Sequence, residues 1–78
     1  MEEGEERVLI IRDYHAAEAG SHGSLGGLLM QQLPPGSKVQ WRFFYEPAMA
    51  RARHIFTGDY QVIVQLIGEL EQKLEEGL

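Results

Sequence analysis

A glycine-rich segment between two strand-like runs is where the residue types and their spacing could support chemistry. Gly20, Gly23 and Gly26 recur at every third position, after the apolar run Val8–Asp13 and before a helix-like run. Backbone N–H groups at the start of a helix can point at an anion, and glycine lets a ligand approach the backbone. The spacing matches neither the dinucleotide fingerprint nor a P-loop. In the alternative interpretation, Gly20 and Gly23 shape a loop, while Gly26 and Gly27 let a helix lie close to a sheet.

The ligand-binding hypothesis assigns five consecutive residues to a site for phosphate, a nucleotide or another small ligand: Gly20, Ser21, His22, Gly23 and Ser24. The longer stretch Ser21–Leu29 also resembles a short part of the mannose-type phosphotransferase IIA domains. In that family a His-Gly pair follows the first strand, and the histidine carries phosphate. The resemblance implies a phosphocarrier role for His22, although that family is considerably longer than this chain.

A second set of residues indicates a contact surface for another protein. The predicted interaction patch contains four basic side chains and one aromatic residue: Arg42, Phe44, Arg51, Arg53 and His54. Arginine suits carboxylate or phosphate groups, so the patch could receive an acidic partner or the acidic tail of a second copy. Phe44 lies on the polar side of an alternating run, which makes it the best candidate for a contact residue or for burial under the last helices. The alternative is an ordinary salt-bridged surface.

Other catalytic or metal-binding arrangements lack their usual spacing. Two of the three histidines, His15, His22 and His54, could bind zinc together with Asp13 if a loop folded back, but no paired-histidine motif occurs. Ser21, His22 and Asp13 are the residue types of a catalytic triad, but no nucleophile-elbow motif surrounds the serine. The sequence therefore predicts no catalytic residue, no metal site and no cofactor. A non-enzymatic protein is expected.

Length and charge limit the remaining possibilities. The 78 residues carry a formal charge of −5 and no cysteine, which excludes disulfides and thiolate chemistry. Acidic residues gather at both ends, so residues 1–6 are expected to form a disordered acidic tail and residues 7–78 a single domain. The net negative charge argues against nucleic-acid binding, which needs a cationic surface. With no apolar run long enough to span a membrane and no basic signal segment, a cytoplasmic location is expected.

The first half of the chain predicts a strand, a loop and a helix. Arg7–Tyr14 is apolar on both alternating faces, as in a strand covered on both sides. Residues 15–23 are expected to be loop, and Ser24 is expected to cap a helix. Four leucines share one stripe of that helix: Leu25, Leu28, Leu29 and Leu33. Pro34-Pro35-Gly36 then marks a turn.

The second half predicts a strand followed by two helices. Lys38–Tyr45 alternates clearly, with Val39, Trp41, Phe43 and Tyr45 on the apolar side. After Pro47, a short helix is expected to gather apolar residues on one arc: Ala48, Met49, Ala52, Ile55 and Phe56. Residues 60–66 are rich in strand formers, but the three-and-four spacing of apolar residues over 60–78 favours a helix at about residues 59–76.

The predicted order β-α-β-α-α indicates a two-layer α+β fold with a small, mainly parallel sheet. Two strands alone leave open edges that invite pairing with another chain. The sheet is therefore expected to be extended or completed by dimerisation, or the C-terminal helices are expected to pack together. The alternative is a monomer whose last helix covers its own sheet.

A wider part of the chain resembles the small SirA/TusA-like sulfur-carrier family. The matching features are the strand Val8–Arg12, the turn Leu33–Gly36, and Glu46-Pro47 followed by a short helix and Thr57-Gly58. The resemblance implies a two-layer architecture. It does not imply the family's activity, because Tyr14-His15-Ala16-Ala17 stands where the family has Cys-Pro-x-Pro.

The main functional prediction is a small, non-enzymatic protein-interaction or regulatory module that self-associates and acts on an unidentified protein partner. The alternatives are a small-ligand, phosphate or nucleotide-binding domain using Gly20–Gly27 and a phosphocarrier at His22.

Overall fold

A computed structural model describes residues 6–77 of the chain. It contains three strands and two α-helices in the order β-α-β-β-α. Their bounds are β1 Arg7–His15, α1 Gly20–Gln31, β2 Val39–Glu46, β3 Arg51–Asp59 and α2 Tyr60–Glu75. The tail predicted over residues 1–6 lies outside the described residues except for Glu6, whose carbonyl accepts a hydrogen bond from the Tyr60 N–H.

The sheet is antiparallel, which contradicts the predicted, mainly parallel sheet and the predicted β-α-β-α-α order. Its strand order is β1-β3-β2, and β3 is antiparallel to both neighbours. β1 and β2 therefore run in the same direction, as the predicted crossover requires, but they are not neighbours. The difference arises because residues 51–59, whose apolar residues also fit a helical arc, form the strand that separates them.

β3 forms because the chain after β2 turns back at once instead of continuing as a helix. Pro47–Met49 makes one turn of 3-10 helix, and Ala50 follows in the left-handed region at a φ of 48°. Arg51–Asp59 then alternates between buried and partly exposed side chains, which is the period of a strand. The predicted helical arc is therefore split, since Ala52 and Phe56 are buried whereas Ile55 lies on the opposite side of the sheet.

Both helices pack on one side of the sheet, which we call the inner face. The core between the helices and this face consists of seven buried residues: Leu25, Leu29, Phe56, Ile63, Leu66, Ile67 and Leu70. The inner face of β2 presents Val39, Trp41, Phe43 and Tyr45, as the alternation of that strand predicts. The other side of the sheet, the outer face, has no layer packed on it among residues 6–77.

The first helix begins earlier than expected. The segment predicted as a loop at residues 15–23 contains the first turn of α1, and Ser24 lies inside the helix instead of capping it. Glu18 supplies the missing cap, because its carboxylate accepts hydrogen bonds from the Gly20 N–H at 2.7 Å and from the Ser21 hydroxyl at 3.0 Å. Leu28, predicted to share the apolar stripe, is exposed.

The second helix confirms the helical interpretation of residues 59–76. Asp59 is its N-cap, and the side chain accepts a hydrogen bond from the Val62 N–H at 3.1 Å. Ile63, Ile67 and Leu70 are buried on one face, as the apolar spacing predicts. No helix within residues 6–77 is long and apolar enough to cross a membrane.

Two glycines are required by close packing. A Cβ atom at Gly26 of α1 would overlap the indole ring of Trp41, so the helix lies directly on β2 at this point. Gly58 has a φ of +138°, and a Cβ atom there would collide with the backbone carbonyl of Lys38. The expectation that Gly26 lets the helix lie close to the sheet is confirmed, whereas Gly27 has open space around its Cα.

Candidate functional site

The sheet brings four of the five predicted interaction residues together. Arg42 and Phe44 alternate on β2, and Arg51 and Arg53 alternate on β3, so all four side chains belong to the outer face. Phe44 is directly opposite Arg53 in the register. His54 is the exception, because it belongs to the inner face and is fully buried.

The centre of the outer face is apolar and uncovered. Leu9 is 61% exposed, Ile11 48% and Phe44 49%. Ile55 lies between them on the central strand, opposite Ile11 in β1 and Arg42 in β2. These four apolar side chains, Leu9, Ile11, Phe44 and Ile55, form what we call the apolar centre.

Charged side chains lie around the apolar centre and largely neutralise each other. Arg53 makes two hydrogen bonds to the Asp13 carboxylate, at 2.7 and 2.8 Å, and holds the pKa of that carboxyl below its usual value. Arg51 donates to Glu46 at 2.8 Å. The strand positions of this face carry four arginines (Arg7, Arg42, Arg51 and Arg53) and three carboxylates (Asp13, Glu46 and Asp59), and hence a formal charge of +1 on a chain of −5.

The glycine-rich segment does not form the loop on which the ligand-binding hypothesis depended. Gly20, Ser21, His22, Gly23 and Ser24 are all within α1. The Glu18 carboxylate occupies the start of the helix, where an anionic ligand would have to accept hydrogen bonds. His22 is buried, with 6% of its surface exposed.

A chain of three hydrogen-bonding side chains connects β2, β3 and α1 beneath the inner face; we call it the Trp41–His54–His22 relay. The indole Nε1–H of Trp41 donates to His54 Nδ1 at 3.0 Å. His54 Nε2 is in turn 3.0 Å from His22 Nδ1. Aromatic rings surround His54, with the Phe43 centroid at 5.0 Å and the Tyr14 centroid at 5.8 Å.

The relay has a fixed direction because an indole nitrogen can only donate. His54 Nδ1 must therefore be an unprotonated acceptor, and neutral His54 must carry its proton on Nε2. That proton is donated to His22, so His22 Nδ1 is also an acceptor and neutral His22 carries its proton on Nε2. A second proton on either ring would either remove the acceptor facing Trp41 or place two N–H groups against each other.

Burial reinforces the neutral state of both histidines. Desolvation, and to a smaller extent the neighbouring His22, lower the pKa of His54 to about 4. Desolvation also lowers the pKa of His22, although the Glu18 carboxylate acts in the opposite direction. Tyr14 lies beside the relay, and its hydroxyl donates to Glu71 at 2.7 Å. Burial and this carboxylate raise the pKa of Tyr14.

Sequence reasoning missed Trp41 as the hydrogen-bond donor to the buried His54, and it missed Tyr14 as a ring packed beside both buried histidines. The alternation of β2 identified Trp41 only as an apolar core residue. His15, the third histidine, is exposed, and no group of three or more His, Asp or Glu residues in the described part of the chain could hold a metal ion. A strand assignment for residues 51–59 would have placed His54 inward by parity.

Comparisons with known proteins give no relative. No protein-family model, curated protein or solved structure matches the chain at a significant level. The resemblances to sulfur carriers and to phosphotransferase IIA domains stay predictions.

Proposed function

We propose that the protein is a small, non-enzymatic interaction module that acts in the cytoplasm as a homodimer, and that two copies meet through the outer face of the sheet. The observation that carries the proposal is the apolar centre, in which Leu9, Ile11 and Phe44 each leave about half or more of the side chain in water. An apolar group of this kind within a polar surround has the anatomy of a protein contact.

The near-neutral charge of the outer face favours a second copy as the occupant. A twofold contact places the same surface on both sides, so any excess charge would meet itself. Most of the negative charge of the chain lies elsewhere, for example on Glu69 and Glu75 of α2. The ion pairs Arg53–Asp13 and Arg51–Glu46 leave the outer face nearly balanced.

The size of the face predicts the strength of the contact. Three strands about 5 Å apart and about 30 Å long present about 400 Å² of sheet plane, and stacked sheets lie about 10 Å apart. A stable interface commonly buries about 800 Å² per partner. The proposed contact therefore lies at the small end of specific interfaces, and a weak, reversible dimer is expected.

Sedimentation equilibrium over low to high micromolar protein tests the proposal. The wild-type mass should rise from the monomer value of 8.8 kDa towards twice that value. Ile11→Lys should stay monomeric, because it buries a charge at the centre of the contact. Leu28→Lys is the matched control, since Leu28 is also 48% exposed but lies on the helix layer.

Two results would contradict the proposal. A wild-type mass of 8.8 kDa at every concentration would show that the chain does not self-associate. Loss of the dimer in Leu28→Lys but not in Ile11→Lys would place the contact on the helices. Far-UV circular dichroism of both variants checks that each has kept its fold.

A further inference from the structure

An open groove of about 420 Å³ lies where the end of β1, the start of α1 and the end of α2 come together. Its lining includes Tyr14, Ala17, Glu18, Ser21, His22 and Leu74. The groove lies at the helix side of the sheet, and His15 at the end of β1 also lines it, but none of the described residues that line it belongs to the apolar centre. A site in the groove would therefore be independent of the proposed dimer contact.

His22 gives the groove a nearly buried polar atom. The residue is buried, with 6% of its surface exposed, and its Nδ1 is engaged by His54. No buried side-chain nitrogen or oxygen in residues 6–77 lacks a partner. His22 Nε2 makes no hydrogen bond within residues 6–77, so this atom keeps some exposed surface, and the groove that His22 lines is the open space beside it.

The relay determines what this atom can do. Because Trp41 donates to His54 and His54 donates to His22, the exposed Nε2 of neutral His22 carries a proton. In this tautomer the Nε2 atom is a hydrogen-bond donor, and it has no lone pair with which to accept a proton or attack an electrophile. This arrangement favours recognition of an acceptor over the phosphocarrier role.

The surroundings of the donor select an uncharged ligand. The Glu18 carboxylate repels an anion from the groove, and it already accepts the N–H of Gly20 at the helix start. An ammonium group has no acceptor to offer the His22 N–H. The ring of Tyr14 and the side chains of Ala17 and Leu74 supply apolar walls.

We propose that this groove binds a small, uncharged molecule with an apolar body and one carbonyl-type acceptor, and that the Nε2–H of His22 is the donor that orients it. Tyr14 and Leu74 contact the apolar body. Trp41 and His54 act as positioning residues, since they hold the proton of His22 on the side that faces the groove.

Nitrogen-15 NMR titrations with four phenyl compounds test the ligand class. Acetophenone has the acceptor, ethylbenzene lacks it, benzoate is an anion and benzylammonium is a cation. Acetophenone should bind about fivefold more tightly than ethylbenzene, which is the typical net effect of one hydrogen bond. Its binding should shift the His22 ring signals and the amides of Tyr14 and Ser21. Benzoate and benzylammonium should bind more weakly than acetophenone.

The variant His22→Phe removes the donor and should abolish the preference for acetophenone over ethylbenzene. Ser21→Ala, at the same groove, should retain it. If His22→Phe does not fold, the ring nitrogens of the wild-type protein still give an answer, because their chemical shifts show where the proton lies. The proposal fails if no compound gives a saturable shift, if ethylbenzene, benzoate or benzylammonium binds as well as acetophenone, or if His22 carries its proton on Nδ1.

Discussion

The indole N–H of Trp41 on β2 determines the protonation of His22 on α1, although the two side chains are joined only through His54. The two hydrogen bonds of the relay are both 3.0 Å long. Since an indole can only donate, each histidine has one permitted neutral tautomer. A core position on β2 therefore controls the chemistry of a groove on the helix side of the molecule.

Replacing Trp41 with Phe should destabilise the protein, and it should allow His54 and His22 to adopt either neutral tautomer. His54 Nδ1 would lose its only donor while it remains buried, at a cost of about 1–3 kcal/mol in the free energy of unfolding, in addition to the cost of the smaller ring. Urea denaturation of the wild type, Trp41→Phe, His54→Phe and the double variant measures the coupling between the residues. We expect a coupling of about 1 kcal/mol. Additive effects would contradict the relay.

Gly26 and Gly27 are neighbours in α1 and should respond to alanine in opposite directions. Gly26→Ala should destabilise the fold by about 1–3 kcal/mol, because the new methyl group overlaps the ring of Trp41. Gly27→Ala meets nothing within 4 Å, so the better helix propensity of alanine should stabilise the protein by up to about 1 kcal/mol. Thermal or urea denaturation compares them. Equal effects would show that α1 does not lie directly on β2.

The stability of the fold should fall as the pH decreases from 6.5 to about 4. In this range the unfolded chain binds protons at histidine, whereas His54, with its pKa lowered to about 4, stays neutral in the folded protein. The shift corresponds to about 3 kcal/mol of unfolding free energy. The lowered pKa of His22 acts in the same direction. The carboxylates Asp13 and Glu18 have lowered pKa values, so their contribution is lost only at more acidic pH.

Urea denaturation between neutral pH and about pH 4.5 checks this window. His54→Phe should reduce the slope of stability against pH, because it removes the group that the unfolded chain protonates. His15→Gln is the control, since His15 is exposed, and it should retain most of the slope. A wild-type stability that stays constant or rises as the pH falls would contradict the buried, neutral state of the histidines.

The Tyr14–Glu71 hydrogen bond should contribute to the attachment of α2 to β1. Tyr14→Phe removes the donor to Glu71 and should cost about 1 kcal/mol in unfolding free energy. Tyr60→Phe is the matched control, because Tyr60 is exposed and its hydroxyl makes no hydrogen bond within residues 6–77, so its effect should be close to zero. If both variants unfold at the same urea concentration, the bond makes no net contribution.

Elements with a clear period could be predicted from the sequence. The alternation of β2 placed Trp41 and Phe43 inward and Phe44 outward, and the structure agrees. The spacing of Ile63, Ile67 and Leu70 identified α2 despite the strand-forming residues at its start. In both elements a whole face is either buried or exposed, so the pattern dominates over local propensity.

The central strand could not be predicted because the turn before it lacks the residues that usually mark a hairpin. Hairpin turns usually contain glycine or asparagine at the left-handed position, but here Ala50 takes the left-handed conformation after Pro47–Met49. The apolar residues near Ala52 and Phe56 also satisfied a helical arc. One misassigned element changed the sheet from antiparallel to parallel and turned His54 from a buried residue into a surface one.

Part of the candidate site could be predicted from side-chain chemistry, even though the strand that carries half of it could not. Arg42, Phe44, Arg51 and Arg53 were chosen for their side-chain chemistry, and strand parity gathers them on one face whichever partner that face has. Leu9 and Ile11 were missed because a run that is apolar on both sides indicated cover on both sides. The relay depends on contacts between residues that are distant in sequence, which no local pattern contains.

The strand order has a consequence for the order of events in folding. Within residues 6–77, β1 and β2 each pair with β3 alone, and β3 is synthesised after both of them. A nascent chain that ends before Arg51 has two strands that share no backbone hydrogen bonds, so neither strand can stabilise the other. Closure of the sheet must wait for Arg51–Asp59, and of the two loops that this strand closes, the one to β2 is the shorter and costs less entropy.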